Sequence, residues 1–245
     1  MEEKLLVNLM MINLFNKWKY FMKSKTGKLL NNILKKKLKN IRNLKPILNF
    51  PDGCKYSGMT KKDPNNNKKL IPEGLGYAIW TDGQYYEGQY KNGFFHGWGQ
   101  YTSPGSHILV GIWKNNFITE GEMRWNDGRH YFGKFKKSKY HGKGSMNYSG
   151  NILYVGDWKD NLADGKSKFT ILKSNEHDKK GTILIGRFKK GAQQGKFKKT
   201  FPNGSIMDCV FVDGVCTKGK WRNEKKWTFF KWRKTMNCLN KWKYF

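Results

Sequence analysis

Acidic residues are scarce: 18 Asp plus Glu stand against 48 Lys plus Arg in 245 residues, a formal charge of +30. A chain this one-sided repels itself and seeks polyanions, so its expected partner is acidic: anionic lipid, RNA or an acidic protein surface. Cysteine is sparse too. Cys54, Cys209, Cys216 and Cys238 show no CxxC pairing and no histidine at ligand spacing, which excludes a zinc ribbon and a disulfide framework and suits a reducing intracellular compartment. Long apolar runs are missing. The stretch from Leu5 to Phe15, interrupted by Asn8 and Asn13, falls short of the roughly 20 residues that cross a bilayer. It follows Met1-Glu2-Glu3 instead of a basic segment, so no secretory leader is expected and the sequons at Asn147 and Asn203 are chance matches. Catalytic signatures are wanting as well. Ser24-Lys25-Thr26-Gly27-Lys28 has Met22 where a phosphate loop needs its first glycine. No Ser/His/Asp or Cys/His set stands out, so neither an enzyme, a cofactor, a metal nor a small-molecule substrate is expected.

What the chain does have is aromatic residues, 16% of the total, and 27 glycines. That composition argues against a disordered basic chain. The glycines are periodic. Gly53, Gly83, Gly105, Gly128, Gly150, Gly181 and Gly204 each sit in a turn-like context, spaced 30, 22, 23, 22, 31 and 23 residues apart. A second anchor follows each: Gly58, Gly88, Gly111, Gly133, Gly156, Gly186 and finally Cys209. Fixed-period self-similarity marks a repeat architecture, with insertions near 60–71 and 174–181 lengthening two copies.

Within a copy, Tyr86-Glu87-Gly88-Gln89-Tyr90 alternates large and small residues as a half-buried strand does. The stretches from Leu109, Tyr131, Tyr154, Leu184 and Met207 alternate likewise. Lys91-Asn92-Gly93, Lys114-Asn115-Asn116, Lys159-Asp160-Asn161 and Lys189-Lys190-Gly191 then supply residues that tolerate the positive φ of a two-residue hairpin. His96-Gly97-Trp98-Gly99, His141-Gly142-Lys143-Gly144, Asp164-Gly165 and Gln194-Gly195 open the returning strand. Turns at both ends of every strand predict an antiparallel meander. Alternate glycines bare one sheet face for the rings of neighbouring hairpins, so glycines, aromatics and the histidines His96 and His141 read as framework. About fourteen strands at roughly 4.8 Å make a slab some 65 Å long.

Tyr-x-Gly-x-aromatic, Asn-Gly, His-Gly-x-Gly and Asp-Gly in this order resemble the MORN repeat over about residues 50–221, in six to seven copies. The resemblance implies a mostly β fold, an elongated single-layer antiparallel meander of hairpins, and a scaffold associated with membrane, phosphoinositide or cytoskeleton. Several copies depart from the pattern: Glu120-Gly121-Glu122 replaces Gly-x-Gly, and the first copy carries the Lys/Asn-rich insertion from Lys61 to Lys69.

Three segments follow: a basic amphipathic helical arm (1–48), the repeat array (49–221) and a basic-aromatic C-terminal arm (222–245). Residues 4–22 and 28–45 read as helices, the second stopped by Pro46. The candidate polyanion-docking residues are Lys17, Trp18, Lys19, Lys35, Lys36, Lys37, Lys39 and Arg42 in the first arm. In the second arm they are Lys231, Trp232, Arg233, Lys234, Lys241, Trp242 and Lys243. Such side chains suit an anionic bilayer, where rings sit at headgroup level, or RNA, where they stack on bases; alternatively the rings pack on the repeat sheet. Two functions stand beside each other. One is a non-enzymatic scaffold or adaptor docked on a membrane, cytoskeleton or axoneme; the other is a subunit of a large ribonucleoprotein such as a mitochondrial ribosome.

Asn16-Lys17-Trp18-Lys19-Tyr20-Phe21 recurs letter for letter as Asn240-Lys241-Trp242-Lys243-Tyr244-Phe245. If both copies dock, deleting either weakens binding to one and the same polyanion in a titration; an effect from one deletion alone makes the duplication accidental.

Overall fold

The computed structural model describes residues 36, 38–42, 45–175 and 178–222. Residues 36 and 38–42 are helical and Lys45 is not, because the residue before a proline, here Pro46, is driven out of the α region. The remaining helical expectations, and the arm beyond Arg222, lie outside the described residues.

Fifteen strands follow in chain order as an antiparallel meander. They fall into two compact units that divide after Asn126. The first holds β1 (Leu48–Asn49), β2 (Lys55–Asp63), β3 (Asn66–Ile79), β4 (Tyr85–Lys91), β5 (Phe94–Ser103), β6 (His107–Lys114) and β7 (Phe117–Trp125). The second holds β8 (His130–Lys136), β9 (Lys139–Tyr148), β10 (Ile152–Lys159), β11 (Leu162–Ile171), β12 (Ile183–Lys189), β13 (Ala192–Thr200), β14 (Ile206–Val212) and β15 (Val215–Trp221). The Lys/Asn-rich insertion prolongs β2 and β3, pairing Lys61 with Ile71 and Lys62 with Leu70.

The hairpin tips obey the turn chemistry read from the sequence. Asn92-Gly93, Asn115-Asn116, Asp160-Asn161, Lys190-Gly191 and Asp213-Gly214 all have positive φ at both residues, the geometry whose twist matches that of paired strands. Lys137-Ser138 does the same at φ 49° and 60° without an Asn or Gly; the sequence pattern missed it. Five of these tips also reach back one strand. Gly93 N donates to Pro72 O at 2.9 Å, and Asn116 both donates its N–H to Phe95 O (3.1 Å) and accepts from Phe95 N through its side-chain oxygen (2.7 Å). Asn161 repeats the pair on Tyr140, while Gly191 and Gly214 donate to Ala163 and Gln193. At the other ends, Asp52, Asp82, Asp127 and Asn203 accept from the N–H two residues on, before or beside a positive-φ glycine, a local bond that holds the turn.

One residue type organises the packed face. Tyr56, Tyr86, Tyr131 and Tyr154 are fully buried, each two residues before a glycine. The register slips just after that glycine, between Gly58 and Thr60, Gly88 and Gln89, Gly133 and Phe135, and Gly156 and Trp158. A bulge leaves a carbonyl outside the ladder, and the tyrosine hydroxyl takes it: Tyr56 donates to Met59 O (2.6 Å), Tyr86 to Gln89 O (3.1 Å), Tyr131 to Lys134 O (2.9 Å) and Tyr154 to Asp157 O (2.8 Å). To get there the ring crosses bare backbone. A Cβ on Gly88, Gly133 or Gly156 would stand 2.8, 2.6 or 2.5 Å from the tyrosine oxygen. Three copies put Leu109, Leu184 and Met207 at the tyrosine position, and in the first and last of these the extra residue of the bulge is a threonine. Thr119 donates to Ile112 O (3.0 Å) and Thr217 to Val210 O (3.1 Å), serving the equivalent carbonyl.

Rings fill the rest of this face. In the first unit Tyr86 stacks on Phe95 at 3.7 Å and meets Tyr90 and Trp113 edge-on at 5.2 and 5.5 Å. In the second, Tyr131 stacks on Tyr140 at 3.9 Å and meets Trp158 at 5.5 Å, and Phe188, Phe197 and Phe211 continue the row. Each such pair contributes about 0.5–1.5 kcal/mol beyond burial.

Tyr86→Phe leaves the Gln89 carbonyl without its donor and lowers stability by about 1 kcal/mol. Gly99→Ala drives a methyl into the Tyr86 ring and costs about 2–3 kcal/mol. Urea midpoints measure both, and most of the Gly99→Ala loss disappears in a Tyr86→Leu background if the ring is what the methyl meets.

Candidate docking surfaces

Of the candidate docking residues, Lys36, Lys39 and Arg42 lie among those described; Lys17, Trp18, Lys19, Lys35, Lys37, Lys231, Trp232, Arg233, Lys234, Lys241, Trp242 and Lys243 lie outside them. Lys36 and Lys39 are exposed on the helical stretch, whereas Leu38 beside them is buried. Arg42 is engaged. Its Nε donates to Glu87 Oε2 at 2.7 Å and its Nη2 donates to the same oxygen, while its guanidinium lies 5.7 and 5.5 Å from the ring centres of Tyr77 and Tyr85. By strand alternation Tyr85 and Glu87 project opposite to Tyr86 and Tyr90, so this contact sits on the sheet face away from the tyrosine ladder. The Glu87 side chain is only 9% exposed; a carboxylate that buried needs a partner, and the chain supplies one from 45 residues upstream.

Other cations belong to the sheet itself. On the β2–β3 extension Lys61 pairs with Glu73 at 3.2 Å, and Lys62, Lys68 and Lys69 are exposed. In the second unit, β11, β13 and β15 each carry lysines at alternate positions facing away from the rings: Lys166 and Lys168, Lys196 and Lys198, Lys218 and Lys220. The sequence reading placed the docking charge in the arms and passed over this stripe. Its signal was a period of two in Lys166-Ser-Lys168-Phe169, Lys196-Phe197-Lys198 and Lys218-Gly-Lys220-Trp221.

His96 and His141 stand half-buried at bulges, where His141 Nδ1 approaches Asp160 at 3.8 Å. Cys54, Cys209 and Cys216 are all unbridged. Burial pushes the Cys54 thiol up to about 11, with Asp52 adding to it. Among the described residues no group of His, Cys, Asp and Glu could hold a metal ion, and no helix is long and apolar enough to cross a membrane.

Bulged hairpins with rings laid over glycine, joined by positive-φ tips, define a β-hairpin repeat protein. The family model described as MORN repeat matches residues 86–107, 131–151, 154–170 and 185–206: the chain carries MORN repeats over these segments. The unmatched 108–130 holds the Leu109–Thr119 version of the bulge. The β2–β3, β6–β7 and β14–β15 hairpins thus share the geometry without the family match, which is where the sequence reading of six to seven copies exceeds the four found. No curated protein matches the chain. Among solved structures it is similar to the TCP domain of SAS-4 (dCPAP) of Drosophila melanogaster, in complex with a proline-rich motif of Ana2 (dSTIL): 12% identity over 67% of this chain and 88% of that one, TM-score 0.38. A mutant TCP10 domain of Danio rerio CPAP shares 11% identity over 75% of this chain and 98% of that one, TM-score 0.29. The CPAP G-box domain shares 13% over 73% and 97%, TM-score 0.27.

Glu87→Gln removes the charge that holds Arg42 and weakens the seating of residues 38–42 by about 1–3 kcal/mol. Amide exchange of residues 38–42 accelerates accordingly; unchanged exchange there shows that Arg42 does not fasten the helix.

Proposed function

We propose that the chain is a non-enzymatic MORN-repeat scaffold, the repeats a rigid spacer and the basic-aromatic arms its attachment to an acidic surface, an anionic membrane or a cytoskeletal polymer inside the cell. The observation that carries this reading is the division of labour within each hairpin. The conspicuous residues, tyrosines, tryptophans and glycines, are spent on packing and on closing bulges, while cations such as Lys166, Lys196 and Lys218 are left exposed. Unbridged cysteines support a reducing compartment. A second reading, a structural subunit of a large ribonucleoprotein, gains support from the lysines on β11, β13 and β15, which place cationic charge on the repeats as well as the arms.

Binding of the full chain to phosphatidylserine vesicles and to a structured RNA, at about 50 and about 300 mM salt, separates the two. On the leading reading vesicles are bound, and replacing Lys17, Lys19, Lys241 and Lys243 by Gln weakens that binding at least about tenfold, since each basic residue near an anionic leaflet contributes about 1 kcal/mol. Vesicle binding indifferent to those replacements sinks the arms as the attachment, and RNA binding without vesicle binding decides for the second reading.

A further inference from the structure

The second unit turns two unlike faces outward. On one the rings are packed; on the other, over β11 to β15, cross-strand registers assemble a field of cations. Lys166 stands opposite Arg187, and Lys168 lies in register with Ile185, Lys198, Asp208 and Lys220. Lys196 lies in register with Val210 and Lys218. Lys166, Arg187, Lys196, Lys198 and Lys218 are exposed, and among the described residues no ion pair is formed by any of these five. Asp208, the acid within the field, is bound by Arg222 at 2.5 and 2.8 Å.

The repeat framework does not require this charge. The corresponding positions in the first unit, in register across β3 to β7, are Tyr77, Glu87, Gln100, Val110 and Glu122, neutral or acidic. Like charges directly opposite each other, as Lys166 and Arg187 are, destabilise a sheet. A polyanion laid on the face relieves that repulsion.

The geometry points to the cationic face of β11–β15 as a docking surface for the phosphate backbone of double-helical RNA. This rests on the reading of the chain as an acid-docking scaffold and adds a surface separate from the arms. The face carries Lys, Arg, Thr, Ile, Val and Asp but no aromatic ring between β11 and β15. Single strands are held largely by bases stacked on rings, and a bilayer interface recruits rings to headgroup level; this face offers neither. It also has no element that projects into a deep groove, so base edges of a DNA major groove are out of reach. A-form RNA presents a wide, shallow minor groove bordered by phosphates and is recognised by shape. The cations match its scale. Four strand steps of about 4.8 Å extend the row from Lys166 to Lys218 over about 19 Å, with neighbours along a strand about 6.7 Å apart. A duplex carries a charge about every 1.7 Å of axis, so the row faces several phosphates at once.

Two full-chain variants of equal charge decide it. One replaces Lys166, Lys196, Lys198 and Lys218 by Gln; the control replaces Lys55, Lys62, Lys68 and Lys69, exposed lysines of the first unit, by Gln. Probes are an RNA duplex of about 20 base pairs, longer than the row, its single strand, the DNA duplex of the same sequence, and phosphatidylserine vesicles. The face variant is expected to bind the RNA duplex at least about tenfold more weakly than the control does, with a slope of log affinity against log salt shallower by about 3. On vesicles the two variants fall equally. Equal affinities of the two for the RNA duplex overturn the assignment, as does a gap between them as large on DNA, on single-stranded RNA or on vesicles. Wild type that binds no probe at low salt overturns the acid-docking reading along with it, whereas wild type that binds vesicles while the variants tie on RNA overturns this face alone. Urea midpoints show whether the face variant folds. Should its midpoint drop, Lys196→Gln and Lys218→Gln singly are expected to take about 1 each from the salt slope, and no change in either sinks the proposal.

Discussion

Six of the seven hairpin repeats depend on a single backbone carbonyl. Where the strand bulges after its glycine, one acceptor leaves the ladder, and a buried acceptor without a donor is costly. The tyrosine hydroxyl that answers it must pass its ring flat across the sheet, and that path is open only because the residues beneath are glycines. Bulge, glycine and tyrosine are thus one device. Thr119 and Thr217 make the point from the other side: where Leu109 and Met207 stand in for tyrosine, a hydroxyl from the bulge itself reaches the same acceptor.

Because that device buries the rings on one face, the opposite face is released from packing, and the two units use the freedom differently. The first receives Arg42 over Tyr77, Tyr85 and Glu87. The second displays its lysines. A single layer with one committed face therefore separates the residues that make the fold from those available to a partner, and substitution on the free face can change the partner without disturbing the hairpin.

Much of the fold was legible because it is local. A two-residue tip, a glycine anchor and an alternating strand are written within about 23 residues, and four of the tips, the strands and the ring-over-glycine packing are expected from them. Lys137-Ser138 escaped notice because nothing in its chemistry favours positive φ; the strands on either side impose the turn. The insertion from Lys61 to Lys69 is legible as added length, but its composition does not show that it continues two strands already in register. The link between Arg42 and Glu87 joins residues 45 apart in the chain, and no periodicity announces such a contact. The lysines of β11, β13 and β15 recur with a period of two, but net charge alone does not tell which side of a strand it occupies.

The backward bonds from the hairpin tips give the chain a direction. Gly93, Asn116, Asn161, Gly191 and Gly214 each donate to a carbonyl on the hairpin made before, so the acceptor for each of these five tips already exists when that tip is synthesised. Growth from the amino end thus resembles masonry: each course is laid on a finished one, and an interrupted wall stands up to its last course but ends in an unfilled row of sockets.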